Sequence, residues 1–313
     1  MEESDRLRRD PVTGKLAVIA PERRKRPGAP AAEPTGGEAA RQTPCPFCPG
    51  NESLTPPELD AIRAPGTRPD GPGWRVRVVP NKYPAFPGGH EVIVHSPDHV
   101  RDLEALDDEA AAAVLGMYRR RIATHLESGA RAAIVICNRG ARAGASLEHP
   151  HSQLFAMPMV PPLQVDELAN FERFRNRYGG CLLCEERDRA ESDSRLVIDG
   201  PVAAWVPAAA RWPYELWLAP AEHQPDFRSG SLLETARTLR RALAAQNAAT
   251  GGAALNYWLH TAPAELRGTY HWHFEMAPRT SVAAGFELGT DVTIDDVDPA
   301  QAAAELRAAL PPV

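Results

Sequence analysis

The sequence contains an internal repeat, and this repeat restricts the fold more than any other feature. Each half presents the same signals in one order: a Cys-x-x-Cys pair, an apolar strand-like run, a histidine after a proline, a long helical pattern, a strand with asparagine and a His-x-His pair. The cysteine pairs are Cys45/Cys48 and Cys181/Cys184. Six matched signals in register indicate duplication of one α+β unit.

The spacing of apolar residues predicts where the regular elements lie. We expect an α+β fold of two similar halves, residues 1–165 and 166–313, joined around residues 161–172. Each half is predicted to be a mainly antiparallel sheet with one long flanking helix, and the two sheets continue into one another. The predicted helices are 107–126 and 231–248, and the predicted strands are 91–95, a run ending at 138, 214–218 and 255–260.

Composition limits the class of partner. The chain has 313 residues and is 43% hydrophobic, which is enough for a substantial core. A formal net charge of −6 gives no electrostatic reason to expect a nucleic acid or a membrane as partner. No apolar run reaches the length of a membrane span, and the N-terminus is no secretion signal. We therefore expect a soluble cytoplasmic protein.

The repeat also pairs histidines with the cysteines. Zinc prefers four Cys and His ligands in a tetrahedral array, and each half supplies such a set. The two sets are Cys45, Cys48, His99 and His149, and Cys181, Cys184, His223 and His271. Four protein ligands leave no open position, so two structural zinc ions per chain are predicted. A redox role is the alternative for each cysteine pair, and His260 is an alternative to His223.

Residues 149–153, His-Pro-His-Ser-Gln, carry the chemistry. In an extended strand the two imidazoles lie on one face, and Pro150 biases His149 towards that conformation. The preceding run 138–146 is rich in small residues, which lets backbone approach a ligand closely. We predict that neutral His151 attacks phosphorus while the carbonyl of His149 holds the proton on its other ring nitrogen. A metal on His149 then aims His151.

The remaining candidates receive structural roles. His125 is predicted to be a surface residue, and His90 and His95 are predicted to be structural. His273 matches His151 in the repeat, but its half lacks the glycine-rich run, so a structural or substrate-lining role is expected. Cys137 lies in an apolar run and is predicted to be a buried structural thiol.

These motifs resemble a known family. The pattern over 138–153 is similar to the active-site signature of galactose-1-phosphate uridylyltransferases, which belong to the histidine-triad superfamily. Segments 9–14, 21–27, 80–85 and 285–290 resemble other parts of these enzymes, so the resemblance covers nearly the whole chain. It implies two histidine-triad-like halves and a homodimer whose sites borrow residues from the partner chain.

The resemblance also implies a role for each matching residue. His151 matches the nucleophile that becomes covalently nucleotidylated, Gln153 matches the residue that holds the phosphoryl oxygens, and Ser152 matches part of the phosphate-side lining. The other implied substrate contacts are Asn138, Gly144 and Ser146 at the phosphate, Asn81 at the nucleoside, Arg23 and Arg26 in the N-terminal segment, and Phe286 and Glu287 at the sugar end.

The implied activity is a nucleotidyltransferase that moves a nucleoside monophosphate between sugar 1-phosphates, with UDP-glucose and galactose 1-phosphate as the first interpretation. Many uridylyltransferases have glycine where Ser152 stands, so base and sugar stay open. One alternative is an ADP-glucose phosphorylase-like adenylyltransferase with inorganic phosphate as acceptor, and a hydrolase is another. The non-enzymatic alternatives are a zinc-stapled nucleotide-binding module and a degenerate duplicate retained for assembly.

Overall fold

The computed structural model describes residues 6–25, 44–99, 102–264 and 268–312. The strands are β1 (Leu7–Arg9), β2 (Leu16–Ile19), β3 (Asp60–Arg63), β4 (Trp74–Pro80), β5 (His90–Val94), β6 (Ala132–Arg139), β7 (His151–Met157), β8 (Leu196–Ile198), β9 (Val202–Trp205), β10 (Leu216–Pro220), β11 (Leu255–His260), β12 (His273–Pro278) and β13 (Val292–Asp295). The α-helices are α1 (Asp108–Glu127), α2 (Pro162–Tyr178), α3 (Leu182–Ser192), α4 (Leu232–Ala249), α5 (Gly285–Thr290) and α6 (Pro299–Ala308).

Ten strands form one continuous sheet in the order β3-β4-β5-β7-β6-β11-β12-β10-β9-β8. All of its neighbours pair antiparallel. From one edge to the centre the first half has the order β3-β4-β5-β7-β6, and from the other edge the second half has the order β8-β9-β10-β12-β11. In both halves the last two strands of the chain order are exchanged. The halves meet at β6 and β11, where Asn138 faces Asn256. This arrangement confirms the predicted α+β class and shows the duplication in the strand order.

The two long helices lie where the apolar spacing predicted them, on what we call the back face of the sheet. Asp107 and Ser231 cap α1 and α4 by accepting backbone N–H groups of the first turn. The two helices pack on each other and on the sheet, and their buried side chains join those of both halves in one core. Each fully buried leucine or isoleucine there stabilises the fold by about 1.5–3 kcal/mol. No helix of the described residues is both long and apolar enough to cross a bilayer.

The opposite face, called the front face, is covered differently in the two halves. In the second half, α2 and α3 pack Leu168, Phe171 and Leu183 against Trp205 and Trp217 of β9 and β10. In the first half the cover is the cysteine loop, whose Phe47 packs near Trp74, Val79, Val92 and Val94. The front face is therefore closed by helices in one half only.

A small second sheet ties the beginning of the described chain to its end. Strands β1 and β2 pair antiparallel, and β13 adds to β2 in parallel. The division of the chain at residue 165 stays a prediction. The structure places that residue inside α2, so most of the predicted linker 161–172 is helical.

Candidate active site

The candidate nucleophile His151 stands at the first position of β7 on the front face. Nδ1 of its ring lies 2.8 Å from the main-chain oxygen of His149. A carbonyl oxygen only accepts, so Nδ1 carries the ring proton and Nε2 keeps its lone pair. Burial lowers the pKa of His151, although the hydrogen bond to His149 opposes this shift. The predicted contact is confirmed, and the geometry leaves a neutral imidazole whose Nε2 has no hydrogen-bond partner among the described residues.

The first predicted metal group is assembled in the structure. One ligand atom from each of Cys45, Cys48, His99 and His149 lies within 4.8 Å of all the others. Nδ1 of His149 is 3.7 Å from both sulfur atoms, and Nδ1 of His99 is 3.2 Å from that of Cys48. Zn–S bonds of about 2.3 Å and Zn–N bonds of about 2.0–2.1 Å in tetrahedral geometry require ligand separations of this size.

The side chain of His149 is oriented for metal binding by its second nitrogen. Nε2 lies 2.8 Å from the carbonyl oxygen of Ser96 and donates to it, which leaves Nδ1 unprotonated. Phe47, between the two cysteines, contacts the rings of both His149 and His151, with centroids 6.0 and 5.2 Å apart. The loop that carries the metal ligands therefore also packs against the nucleophile.

Gln153 lies on the same face as His151, two residues further along β7. Its Oε1 accepts from His90, whose Nε2 is 2.8 Å away, and from Asn81, whose Nδ2 is 3.4 Å away. In the part of the chain that the structure describes, its amide nitrogen has no hydrogen-bond partner. His90 was predicted to be structural, and its contact with Gln153 was missed. The register contained a signal, since Val92 pairs with Gln153 and His90 lies on the same face as Val92.

Ser152 does not line the front face, so the expectation that its side chain helps to hold the phosphate is wrong. Side chains alternate along a strand, and Ser152 points to the back face between His151 and Gln153. Its Oγ is fully buried, 2.7 Å from Nε2 of His95 and in contact with the hydroxyl of Tyr118. The role of Ser152 is therefore to satisfy a polar cluster beneath α1.

The glycine-rich run forms a turn beside Asn138. Gly140 and Gly144 have φ angles of +82° and +86°, which residues other than glycine rarely adopt. The amide of Asn256 donates to Oδ1 of Asn138 and to the carbonyl of Ala143, both at 2.8 Å. This leaves the amide nitrogen of Asn138 facing the turn. Ser146 lies in the exposed part of the same run. Asn256 was not proposed as a site residue, although the repeat matches it to Asn138.

The second metal group is present in part. Ligand atoms of Cys181, Cys184 and His271 lie within 4.8 Å of one another, and Nδ1 of His271 is 3.3 and 3.6 Å from the two sulfur atoms. His223 stands next to them: its ring centroid is 5.3 Å from that of His271, and its hydrogen bond with Cys181 raises its pKa. The same 5.3 Å separates His99 from His149. The alternative prediction, in which His260 replaces His223 as a ligand of this group, is wrong, because the ring of His260 faces Glu167 instead.

Where the second half repeats the nucleophile, the site is closed. Nδ1 of His273 lies 3.0 Å from the carbonyl of His271, as in His151, but His273 is fully buried and stacks on Trp217. Its neighbours are Glu167, His260 and Glu275, and these four side chains are close enough to hold a metal ion together. Arg211 donates to Glu275 from the other side. Nothing in the sequence repeat predicted that Glu167 and Glu275 would belong to this cluster.

The N-terminal and C-terminal candidates lie elsewhere in the chain. Arg23 is exposed on a 3-10 turn whose next residue, Arg24, donates to Tyr214 of the second half. Arg26 lies outside the described residues. Phe286 and Glu287 are on the exposed helix α5, where Glu287 accepts from the backbone of Ala284. None of the hydrogen bonds or ring contacts of these described side chains is with His151 or Gln153.

Comparison with known proteins agrees with this geometry. Residues 82–161 match the family model of the N-terminal domain of galactose-1-phosphate uridyl transferase. The chain is 30% identical to the ADP-glucose phosphorylase of Arabidopsis thaliana over 97% of its own length and 93% of that protein. The chain belongs to the galactose-1-phosphate uridylyltransferase family.

One further member of this family and one solved structure show how far the similarity extends. The galactose-1-phosphate uridylyltransferase of Thermotoga maritima is 25% identical over 96% of this chain and 97% of its own. A crystal structure of the Arabidopsis ADP-glucose phosphorylase with bound ADP-glucose superimposes with a TM-score of 0.83 at 30% identity, covering 96% of this chain and 97% of that one. Family membership confirms the nucleotidyltransferase class, so the non-enzymatic binding module is disfavoured.

Proposed function

We propose that this chain transfers a nucleoside monophosphate from a nucleotide sugar to a phosphate acceptor through a covalent intermediate on Nε2 of His151. The observation that carries the proposal is the tautomer: the carbonyl of His149 holds the proton on Nδ1, so the free lone pair is on Nε2. Burial keeps the ring neutral at neutral pH, which is the nucleophilic form.

The reaction has two displacement steps. In the first, Nε2 of His151 forms a bond to the α-phosphorus while the bond from that phosphorus to the bridging oxygen breaks, and sugar 1-phosphate leaves with the electron pair. In the second, an oxygen of the acceptor attacks the same phosphorus, and the P–N electron pair returns to Nε2. The amide of Gln153 donates to the phosphoryl oxygens in both steps. Removing one such donor costs about 2.7–4 kcal/mol of barrier, roughly 10²–10³ in rate.

The predicted zinc ions belong to this proposal as structural elements. A zinc ion held by two cysteines and two histidines has no open position, so its contribution is to fix the loop that carries Phe47 and the backbone of His149. All five cysteines are free of disulfides, and four of them lie in two Cys-x-x-Cys motifs. This suits a cytoplasmic location, where thiolates persist as metal ligands.

Two donor and acceptor pairs compete. UDP-glucose with galactose 1-phosphate is supported by the family model and by the Thermotoga relative. ADP-glucose with inorganic phosphate is supported by the Arabidopsis relative, whose identity to this chain is higher over a similar length. The chemistry at His151 is the same for both, because the sugar and the base do not take part in the displacement.

A trapping experiment tests the proposal. The enzyme is mixed with UDP-glucose or ADP-glucose, quenched, digested and analysed by mass spectrometry. We expect a uridylyl or adenylyl group on His151, and the donor that labels faster identifies the base. Adding galactose 1-phosphate, inorganic phosphate or buffer alone to the isolated adduct identifies the acceptor. A His151→Ala variant is expected to bind the donor and form no adduct; turnover by that variant would disprove the mechanism.

The proposal includes a homodimer. Among the described residues, none of the hydrogen bonds or ring contacts of Arg23, Phe286 and Glu287 is with His151 or Gln153, and this supports a site that these side chains complete from the partner chain. Mixing the inactive variants His151→Ala and Glu287→Ala under conditions of subunit exchange is expected to restore activity, because one of the two mixed sites then has both residues. No recovery in a mixture shown to contain heterodimers would contradict a site that is shared between the two chains.

A further inference from the structure

Resting on the proposed function, we propose that His90 is a positioning residue that fixes the amide of Gln153 with its NH₂ group towards the reacting phosphate. A glutamine amide has a donor end and an acceptor end of nearly the same shape. Only the donor end stabilises the charge on phosphoryl oxygens, and the acceptor end would repel it. Something must therefore determine which end of Gln153 faces the substrate.

The tautomer of His90 follows from a backbone contact. The N–H of Ala85 donates to Nδ1 of His90 at 3.1 Å. A ring nitrogen that accepts has no proton, so the single proton of the neutral ring is on Nε2. Burial lowers the pKa of His90, which favours this neutral form. His90 therefore presents a donor at Nε2.

That donor selects the oxygen of Gln153. Nε2 of His90 lies 2.8 Å from Oε1 of Gln153. Asn81 adds a second donor: its own oxygen accepts from the N–H of Tyr83 at 2.8 Å, and its Nδ2 lies 3.4 Å from the same Oε1 and 3.1 Å from Nε2 of His90. Because the contact with Ala85 leaves the ring proton of His90 on Nε2, that nitrogen cannot accept from Asn81, and Oε1 of Gln153 is the acceptor for both donors. A reversed Gln153 would place its NH₂ group against two donors. With the oxygen held in this way, neither N–H bond of Gln153 has a partner in the described part of the chain, and both can donate to the phosphate.

His90 itself is held firmly. Its ring stacks on Phe155 across the strand pair, with centroids 4.0 Å apart and planes inclined by 26°. Its main-chain oxygen accepts from the N–H of Asn81 at 2.9 Å. The preceding residue is Gly89, where an added Cβ would lie 2.4 Å from the carbonyl oxygen of Ala156. The turn between β4 and β5 therefore places both donors, Asn81 and His90, beside Gln153.

The decisive experiment is a double-mutant cycle on the first half-reaction. His90→Phe keeps an aromatic ring against Phe155 but removes the donor, and Gln153→Ala removes the amide. The single-turnover rate of labelling of His151 is measured for the wild type, both single variants and the double variant. We expect His90→Phe to slow labelling about tenfold, as the loss of one hydrogen bond of about 1.4 kcal/mol would. In the Gln153→Ala background the same change is expected to have no further effect, because no amide remains to be oriented.

A rescue variant and a matched control separate positioning from general structure. His90→Gln places an amide N–H near the position of Nε2 and is expected to recover most of the rate. The control is His95→Phe, which removes a buried imidazole just after the other end of the same strand, where it contacts Ser152 on the back face. Its effect on labelling is expected to add to that of Gln153→Ala. Coupling to His95 as large as the coupling to His90 would overturn the proposal.

The outcomes distinguish this inference from the proposed function. If wild-type enzyme forms no adduct with either donor, the proposed function fails first. If wild-type enzyme is labelled but His90→Phe is as fast, or slows the Gln153→Ala variant equally, only the positioning role fails. Nitrogen-15 NMR of the wild-type imidazoles needs no variant to fold: we expect a protonated Nε2 on His90, and a protonated Nδ1 would overturn the inference.

Discussion

The backbone of His149 and the side chain of His149 hold two different parts of the site. Its carbonyl oxygen accepts from Nδ1 of His151 at 2.8 Å, while its imidazole belongs to the group formed with Cys45, Cys48 and His99. A single residue therefore links the metal ligands to the tautomer of the nucleophile. This link makes the first candidate metal group part of the candidate active site, whereas the second group is attached to a closed copy of that site.

The two metal groups are expected to differ in their effect on activity. Cys48→Ser and Cys184→Ser should each remove one of two zinc ions per chain, measured by elemental analysis. Cys48→Ser is expected to slow labelling of His151 by about 10–100-fold, the usual effect of disturbing the residues that orient a site. Cys184→Ser, the matched control, is expected to stay within about threefold while the protein is folded. Equal losses in both variants would contradict the link through His149.

Ser152 and Gln153 are expected to separate stability from rate. Ser152→Ala leaves His95 and Tyr118 without their shared partner in a buried cluster, at a cost of about 1–3 kcal/mol in the free energy of unfolding. Its labelling rate should change little because the side chain is on the back face. Gln153→Ala should lower that rate by roughly 10²–10³ with little change in stability. Denaturant unfolding and single-turnover labelling measure the two effects, and a rate loss in Ser152→Ala of the size seen in Gln153→Ala would contradict this geometry.

The second histidine pair is expected to remain unlabelled. His273 has the same hydrogen bond to its upstream neighbour as His151, but it is fully buried behind Trp217 and Tyr270. Peptide mapping after exhaustive labelling should therefore find at most one nucleotidyl group per chain, on His151. His273→Gln is expected to lower the melting temperature and leave the site of labelling unchanged. An adduct on His273 in the wild type would show that the helical cover opens.

Glu91 is expected to make part of the stability depend on pH. Burial acts to raise its pKa, but hydrogen bonds from His125 and Arg121 outweigh it and leave the pKa below its usual value of 4.5. A lowered pKa in the folded state stabilises the protein above about pH 4.5, and this contribution is lost as the pH falls through the folded-state value.

The measurement compares wild type with Glu91→Gln by denaturant unfolding at several pH values. We expect the difference in unfolding free energy to be about 1–3 kcal/mol at pH 7 and to shrink progressively below pH 4.5. Glu172→Gln, which changes an exposed glutamate of α2, controls for the loss of one carboxylate and should stay within about 0.5 kcal/mol. A difference for Glu91→Gln that grows on acidification would have the wrong sign.

The sequence by itself determined the features that depend on local order. Helix periodicity located α1 and α4 within one residue of their observed bounds, and the repeat of cysteine and histidine signals identified the first metal group completely. The contact between His151 and His149 could also be predicted, because only Pro150 lies between them and proline restricts the backbone there. Short-range spacing is sufficient when the chemistry lies within a few bonds.

Only the tertiary structure decided what depends on distant segments. The identical His-x-His pairs differ in accessibility because α2 and α3 cover one of them and not the other. Asn256 holds the amide of Asn138 across the central strand pair, and Glu167 joins His260 from another element. His90 meets Gln153 through the register of β5 with β7, although the two residues are 63 positions apart in sequence. Such contacts follow from strand order and from the face that each side chain occupies, and neither is determined by composition or by spacing within one motif.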